Sequence, residues 1–312
     1  MTSTTRAKRA GTFALILSAV LGYIPFGLLA PIFPREAELR DASGPAVGVI
    51  FAAYACATFI VSPFVGSLLV PRVGRRGSLL LGLVWLGLAT IAFAFVTALP
   101  AGTAFVAGSI AIRAVQGAGA SVIGVTIYSL CAELYGDTED LTTYMGVVEV
   151  AIGLGYMFGP PAGGLAAQLG GFRAPFFLFG TLPLAAVPLV ACLLPPGGEA
   201  PRRLSADAGE TMVALPSGSA GVAILALLRR PLVLVMLATA AVSNTAYSFF
   251  EPVLQRHVGD LVPTSAKLGL LFSLVAVCYI VCCPLVGVLA RPTYLGSPTV
   301  VVLGQHLAPL LL

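Results

Sequence analysis

The chain has 312 residues, of which 58% are hydrophobic and only 10% charged, and its mean hydropathy is +0.99. Soluble domains carry about a quarter charged residues, so there is too little polar side chain here to cover a globule. A soluble enzyme, an exposed nucleic-acid binder and a disordered regulator are all ruled against together. The net charge of +4 carries no nucleic-acid signal of its own. The 35 glycines and 23 prolines suit membrane helices, where glycine permits close packing and neighbours satisfy the breaks that proline makes. Cys56, Cys131, Cys192, Cys278, Cys282 and Cys283 all fall in or at the end of apolar stretches, without zinc-ligand spacing, and the two histidines are His257 and His306. They read as packed thiols; neither a metal nor a cofactor is expected.

A membrane helix needs about 20 mainly apolar residues. Eight stretches qualify: 12–33, 47–70, 78–99, 102–129, 144–169, 174–194, 232–254 and 266–290. The apolar runs are continuous and lack the alternation of a β-barrel. The first is too long for a cleavable signal and is followed by Pro34. Arginine and lysine set the orientation. With the N-terminus cytoplasmic, inner segments hold eleven and outer segments five, which places both ends in the cytoplasm. The segment 133–140 dissents, being acidic yet inner by parity. The expected organisation is a cytoplasmic tail at 1–11 and a six-helix bundle at 12–194. A cytoplasmic linker at 195–231, a partial second bundle of two helices at 232–291 and a divergent tail at 292–312 follow.

The fourth span carries Arg113, Gln116, Gly117, Ala120 and Gly124 at spacings that share one helical face. An arginine near mid-bilayer costs about 2.5–3.5 kcal/mol even on the lenient insertion scale, so it faces protein or water. It either pins helices by bonding carbonyls, or supplies a fixed positive charge near a carboxylate. In the fifth span Gly155, Gly159 and Gly163 recur every four residues and form a seam for another helix, with Gly164 beside it. Pro160 and Pro161 predict a bend there. Glu149 lies on the same helix, with Tyr156 and Pro160 on its face. A carboxylate held in such a place suits reversible protonation; otherwise it reaches back to the inner surface or balances Arg113. In the seventh span Asn244, Tyr247 and Glu251 share a stripe, a plausible site for an organic cation. The alternative is that Glu251, next to Pro252, is solvated at the outer interface.

These residues carry a family resemblance. Arg113-x-x-Gln116-Gly117-x-Gly119-Ala120 and Gly146-x8-Gly155-x3-Gly159-Pro160-x2-Gly163-Gly164 resemble two signatures of the major facilitator superfamily, the second typical of its proton-coupled antiporters. Pro71-Arg72-Val73-Gly74-Arg75-Arg76 resembles the superfamily's gating loop, with Pro71 where the family has aspartate. The stretch from Ala30 to Glu38, Gly159-Pro160-Pro161 and Phe250-Glu251-Pro252 look like the vesicular amine transporters, especially the polyamine branch. The resemblance covers about residues 12 to 291. It implies an all-α membrane protein with the complete first six-helix half of that fold and about two helices of the second, apparently C-terminally truncated. It implies a proton-coupled antiporter of small organic cations working by alternating access, in a vesicle membrane or, as a multidrug exporter, the plasma membrane. Protons, an organic cation and lipid would be its partners. A non-transporting form that binds full-length transporter is the alternative. The first span lacks the acidic residue with which monoamine carriers hold the amine, which points toward polyamines.

Overall fold

The computed structural model describes residues 3–136 and 141–194, and scattered single positions between 229 and 281. Apart from those single positions, the expected linker and the expected seventh and eighth spans, with Asn244, Tyr247 and Glu251, lie outside the described residues, as does the divergent tail.

The described chain is helical throughout. Helix α1 is Ser3–Gly27, and a short α2, Phe33–Glu38, follows. Helix α3, Gly44–Phe64, continues through a widened turn at Val65–Leu69 into α4, Val70–Val73. Then come α5 (Arg75–Phe93), α6 (Thr103–Tyr135), α7 (Leu141–Gly170) and α8 (Ala174–Leu193). Six helices are long and apolar enough to cross a membrane: Arg6–Gly27, Gly44–Val73, Arg75–Ala98, Thr103–Tyr135, Thr143–Gly170 and Ala174–Leu193. They correspond one for one to the first six stretches read from hydropathy.

Three of the boundary differences have a plain physical reason. The first span ends at Gly27 and not at Phe33. The apolar residues beyond it, Leu28, Leu29, Ala30, Ile32 and Phe33, turn back and are buried in the bundle's own end, so they do not face lipid. At its other end α1 is already helical from Ser3, where a tail was expected. The stretch expected as a gating loop is mostly helix: Pro71, Arg72 and Val73 are in α4, Gly74 makes the break, and Arg75 and Arg76 open α5. Gly74 sits at φ 79°, in the left-handed region that favours glycine.

The principal helix contacts follow an internal symmetry, which the α7–α8 and α6–α7 contacts break. Helices α1, α3 and α5 form one triplet and α6, α7 and α8 another. Exchanging α1 with α6, α3 with α7 and α5 with α8 turns the α3–α6 contact into α7–α1 and α5–α6 into α8–α1. The α5–α8 and α1–α6 contacts map onto themselves. This is a bundle of two three-helix repeats.

Glycine makes the two equivalent close contacts possible. On α6, a Cβ at Gly117 would lie 2.2 Å from the Tyr54 carbonyl oxygen of α3. On α7, Cβ atoms at Gly155 and Gly159 would lie 2.8 and 2.7 Å from the carbonyl oxygens of Val20 and Ile24, and one at Gly163 3.1 Å from that of Leu28. Pro160 packs on Gly27, and Gly164 is buried. The expected seam is therefore the α1–α7 interface, and α7 runs unbroken through Pro160 and Pro161. Hydroxyls clamp the other pair: Thr58 donates toward the carbonyls of Tyr54 and Gly117 at 2.9 and 3.0 Å, and Ser62 bonds Ser121 at 2.9 Å.

The Phe33 end is closed by stacked rings of Phe33 and Phe105, with Phe51, Phe93 and Phe176 around them. Arg40 ties the connections there: it pairs with Glu36 at 2.9 Å, donates to the Leu99 carbonyl and lies over the Phe105 ring. Large apolar side chains such as Phe59 and Phe64 on α3 and Leu178 on α8 point outward, as lipid-facing positions do.

Candidate functional site

Arg113 is fully buried on α6. Its Nη1 donates to Gln116 Oε1 at 3.2 Å, and Gln116 Nε2 donates to Thr90 Oγ1 on α5, also at 3.2 Å. Its guanidinium carbon stands 4.5 Å from the centre of the Tyr54 ring on α3. Amide, hydroxyl and π face thus receive the charge, as a cation inside apolar helices requires. The face expected from spacing holds: Gln116, Gly117 and Ala120 are buried with Arg113, and a Cβ at Gly124 would meet the Tyr23 hydroxyl.

Glu149 is half-buried on α7. The Tyr128 hydroxyl of α6 donates a short hydrogen bond to its Oε1. Tyr156, two turns further along, meets Tyr23 and Phe26 of α1 edge-to-face, each with ring centres 5.3 Å apart. Phe26 in turn meets Tyr54 at 5.2 Å. The rings Tyr54, Phe26, Tyr156 and Tyr23 make one continuous row, with Arg113 against Tyr54 at one end.

Glu149 and Tyr156 lie on the same helix, α7, the first meeting Tyr128 of α6 and the second meeting Tyr23 and Phe26 of α1. Ion pairs join Arg40 to Glu36 and Arg75 to Glu133. Tyr23, Phe26, Tyr54 and Tyr128 were not singled out from sequence. The i, i+3 spacing of Tyr23 and Phe26 was the available signal.

Of the basic turn, Arg72 is exposed. Arg75 pairs with Glu133 at 2.9 Å and donates to Ser129, while Arg76 donates to the Ala191 carbonyl at 2.6 Å. The pairing explains the acidic start of the 133–140 segment: Glu133 answers the arginine at the start of α5. Both partners are 29% exposed. Such pairs contribute about 0.2–1 kcal/mol, so a double-mutant cycle of Arg75→Gln and Glu133→Gln, read by thermal melting in detergent, is expected to give a coupling below about 1 kcal/mol. A coupling several times larger would make this turn a principal lock of the bundle.

Six apolar helices in two inverted triplets, with a buried arginine and a half-buried carboxylate between them, define a multi-pass membrane protein of the repeat-built kind. The Major Facilitator Superfamily profile matches residues 15–311, and the chain belongs to that family. It is similar to the MFS-type transporter SLC18B1 of Rattus norvegicus, 29% identical over 294 residues, which is 91% of this chain and 59% of that protein. It is similar also to the chromaffin granule amine transporter of Homo sapiens, 30% identical over 249 residues, 78% of this chain and 42% of that one. With Multidrug resistance protein 2 of Bacillus subtilis it shares 30% identity over 175 residues, 56% of this chain and 41% of the other. The chain spans about half the length of the curated relatives it matches.

Proposed function

We propose that the chain acts in the proton-coupled exchange of small organic cations, amines of the monoamine or polyamine type, by alternating access. One observation carries this: a carboxylate, Glu149, and a guanidinium, Arg113, are both held inside apolar helices, the first by a tyrosine hydroxyl and the second against a row of aromatic rings. Charges in that position are costly and serve ion movement. The names of the amine-transporting relatives support the substrate class.

The carboxylate attracts the cation from one side of the membrane. Protons from the acidic side neutralise Glu149, or Glu251 of the seventh span, and release the cation; loss of the proton on the other side restores the attraction. Arg113 supplies a fixed positive charge in the same interior. The Gly155–Gly164 seam lets α1 and α7 move as one body when the bundle rocks. No bond is made or broken, so the work is transport and needs no cofactor. With both ends cytoplasmic, as the arginine bias predicts, a vesicle membrane supplies the acidic side.

The test is uptake of labelled serotonin or spermidine into proteoliposomes driven by an imposed pH gradient. Glu149→Gln is expected to lower uptake at least about tenfold, the loss of one charged partner. Unchanged uptake in both Glu149→Gln and Glu251→Gln removes the carboxylates from the mechanism. Export of drug-like cations at the plasma membrane is the second reading, favoured by the bacterial multidrug relative; gradient-driven movement of such drugs with no serotonin or spermidine uptake would select it.

A further inference from the structure

We infer that Ser18, Ser78 and Thr126 hold one buried water at the junction of α1, α5 and α6. The site uses none of the residues assigned to transport above.

All three side chains are fully buried, and their hydroxyl oxygens have no hydrogen-bond partner among the described residues. A serine or threonine inside a helix can bond the carbonyl one turn back. Thr58, Ser62 and Thr90 do so here, at 2.9, 2.7 and 2.8 Å. Ser18, Ser78 and Thr126 do not, so each keeps its capacity to donate and accept for something beyond its own helix.

Register brings the three together. Gly22 of α1 and Gly82 of α5 face the same side chain of α6: Cβ atoms there would lie 3.0 and 2.8 Å from Ile123. Ser18 is one turn before Gly22, and Ser78 one turn before Gly82, on the same helical faces. Further along, Gly11 of α1 meets Leu134 and Leu86 of α5 meets Gly119, so α6 runs antiparallel to both. Ser18 and Ser78 are therefore level with Ile127 of α6. Thr126 is the neighbour of Ile127, and it lies two turns from Gly119 on the face that meets α5. Three helices thus present one hydroxyl each at a single level of the bundle.

A hydroxyl buried without a bond is costly, and native interiors satisfy nearly all such groups. A buried water makes about three hydrogen bonds and can donate or accept in each, which matches three hydroxyls. A metal cation fits less well. The one acidic residue on α1, α5 and α6 is Glu133, and Arg75 already pairs with it. An uncompensated charge among these helices would cost more than the hydroxyls it satisfied. The water fastens α1 and α5 of one triplet to α6 of the other.

A density map of the purified wild-type protein is expected to show one peak within hydrogen-bond distance of all three hydroxyl oxygens. A map in which the hydroxyls bond one another or helix carbonyls, with no peak between them, overturns the proposal. Thermal melts in detergent give an independent reading. Ser18→Ala, Ser78→Ala and Thr126→Val are each expected to lower the melting temperature by about 2–4 °C, because the water loses one of its partners. The triple variant is expected to fall by less than the sum of the three, since no polar group is then left unmatched. At a dry junction each substitution would delete an unbonded hydroxyl, so each would raise the melting temperature and the gains would add; that result also overturns the proposal. Melts in sodium chloride and in choline chloride are expected to coincide. A sodium-dependent rise that the triple variant lacks would put a cation there in place of water and overturn the assignment. If a variant does not fold, the wild-type map decides.

Discussion

Gly117→Leu is expected to remove nearly all folded protein from a membrane extract. The added Cβ alone would fall 2.2 Å from the Tyr54 carbonyl oxygen, 2.9 Å from its carbon and 3.0 Å from its Cα. All three are backbone atoms of α3, so no side chain can rotate out of the way. The helices must part, and Thr58 then loses its contact with the Gly117 carbonyl and Ser62 its contact with Ser121. Overpacking of a core costs about 1–3 kcal/mol where neighbours can adjust. Here they cannot, and the whole margin of a domain is only about 5–15 kcal/mol. Gly117→Ala adds that Cβ and nothing more, and is expected to lower the melting temperature by at least the upper end of the overpacking range, about 3 kcal/mol of stability. Gly48→Ala is the control, because nothing lies within 4 Å of a Cβ there; it is expected to match or exceed the wild type, since alanine favours helix by about 1 kcal/mol. Fluorescence-detected size-exclusion profiles and thermal melts of the three variants read this directly. A monodisperse Gly117→Leu protein with a wild-type melt would mean that α3 and α6 do not pack in this register.

How much of this was legible beforehand depends on the range of the signal. The six membrane helices were, because a run of about 20 apolar residues has few other uses. The seam was as well: Gly155, Gly159 and Gly163 repeat at helical spacing, and the partner they demanded is α1. Hydropathy failed at Phe33, since it cannot tell an apolar residue facing lipid from one turned back into the bundle. The 133–140 segment broke the charge rule because Glu133 serves a partner 58 residues earlier in the chain, Arg75, and that pairing is purely tertiary. The aromatic row was illegible for the same reason. Tyr23 and Phe26 lie on α1, Tyr54 on α3 and Tyr156 on α7. Each reads alone as an ordinary filler of an apolar helix. Arg113 and Glu149 announced themselves because a charge inside a span always needs a reason; what each one touches, Tyr54 and Tyr128, did not.

Arg113→Leu is expected to abolish gradient-driven uptake while changing stability little. The sign of the stability effect is decided by opposing terms. Burying a guanidinium costs several kcal/mol, so replacing it with an apolar side chain of similar volume removes that cost. Against this stand the lost bond to Gln116 Oε1 and the lost contact with the Tyr54 ring. A hydrogen bond to a charged group contributes about 1.5–3 kcal/mol, and a desolvated cation–π contact about 2 kcal/mol. Gln116 keeps Thr90 as a partner, so it is not left wholly unsatisfied. The terms nearly cancel, and the melting temperature is expected to move by no more than about 2 kcal/mol of stability in either direction. If the arginine only pinned helices, the effects would run together: a large fall in melting temperature, with uptake per folded molecule preserved. Arg113→Lys sharpens the distinction. It keeps the charge but loses the planar stack on Tyr54, so it is expected to retain part of the uptake that leucine destroys. Uptake and melting measured on the same preparations separate the two roles, and wild-type uptake in Arg113→Leu would end any part for this charge in moving cations.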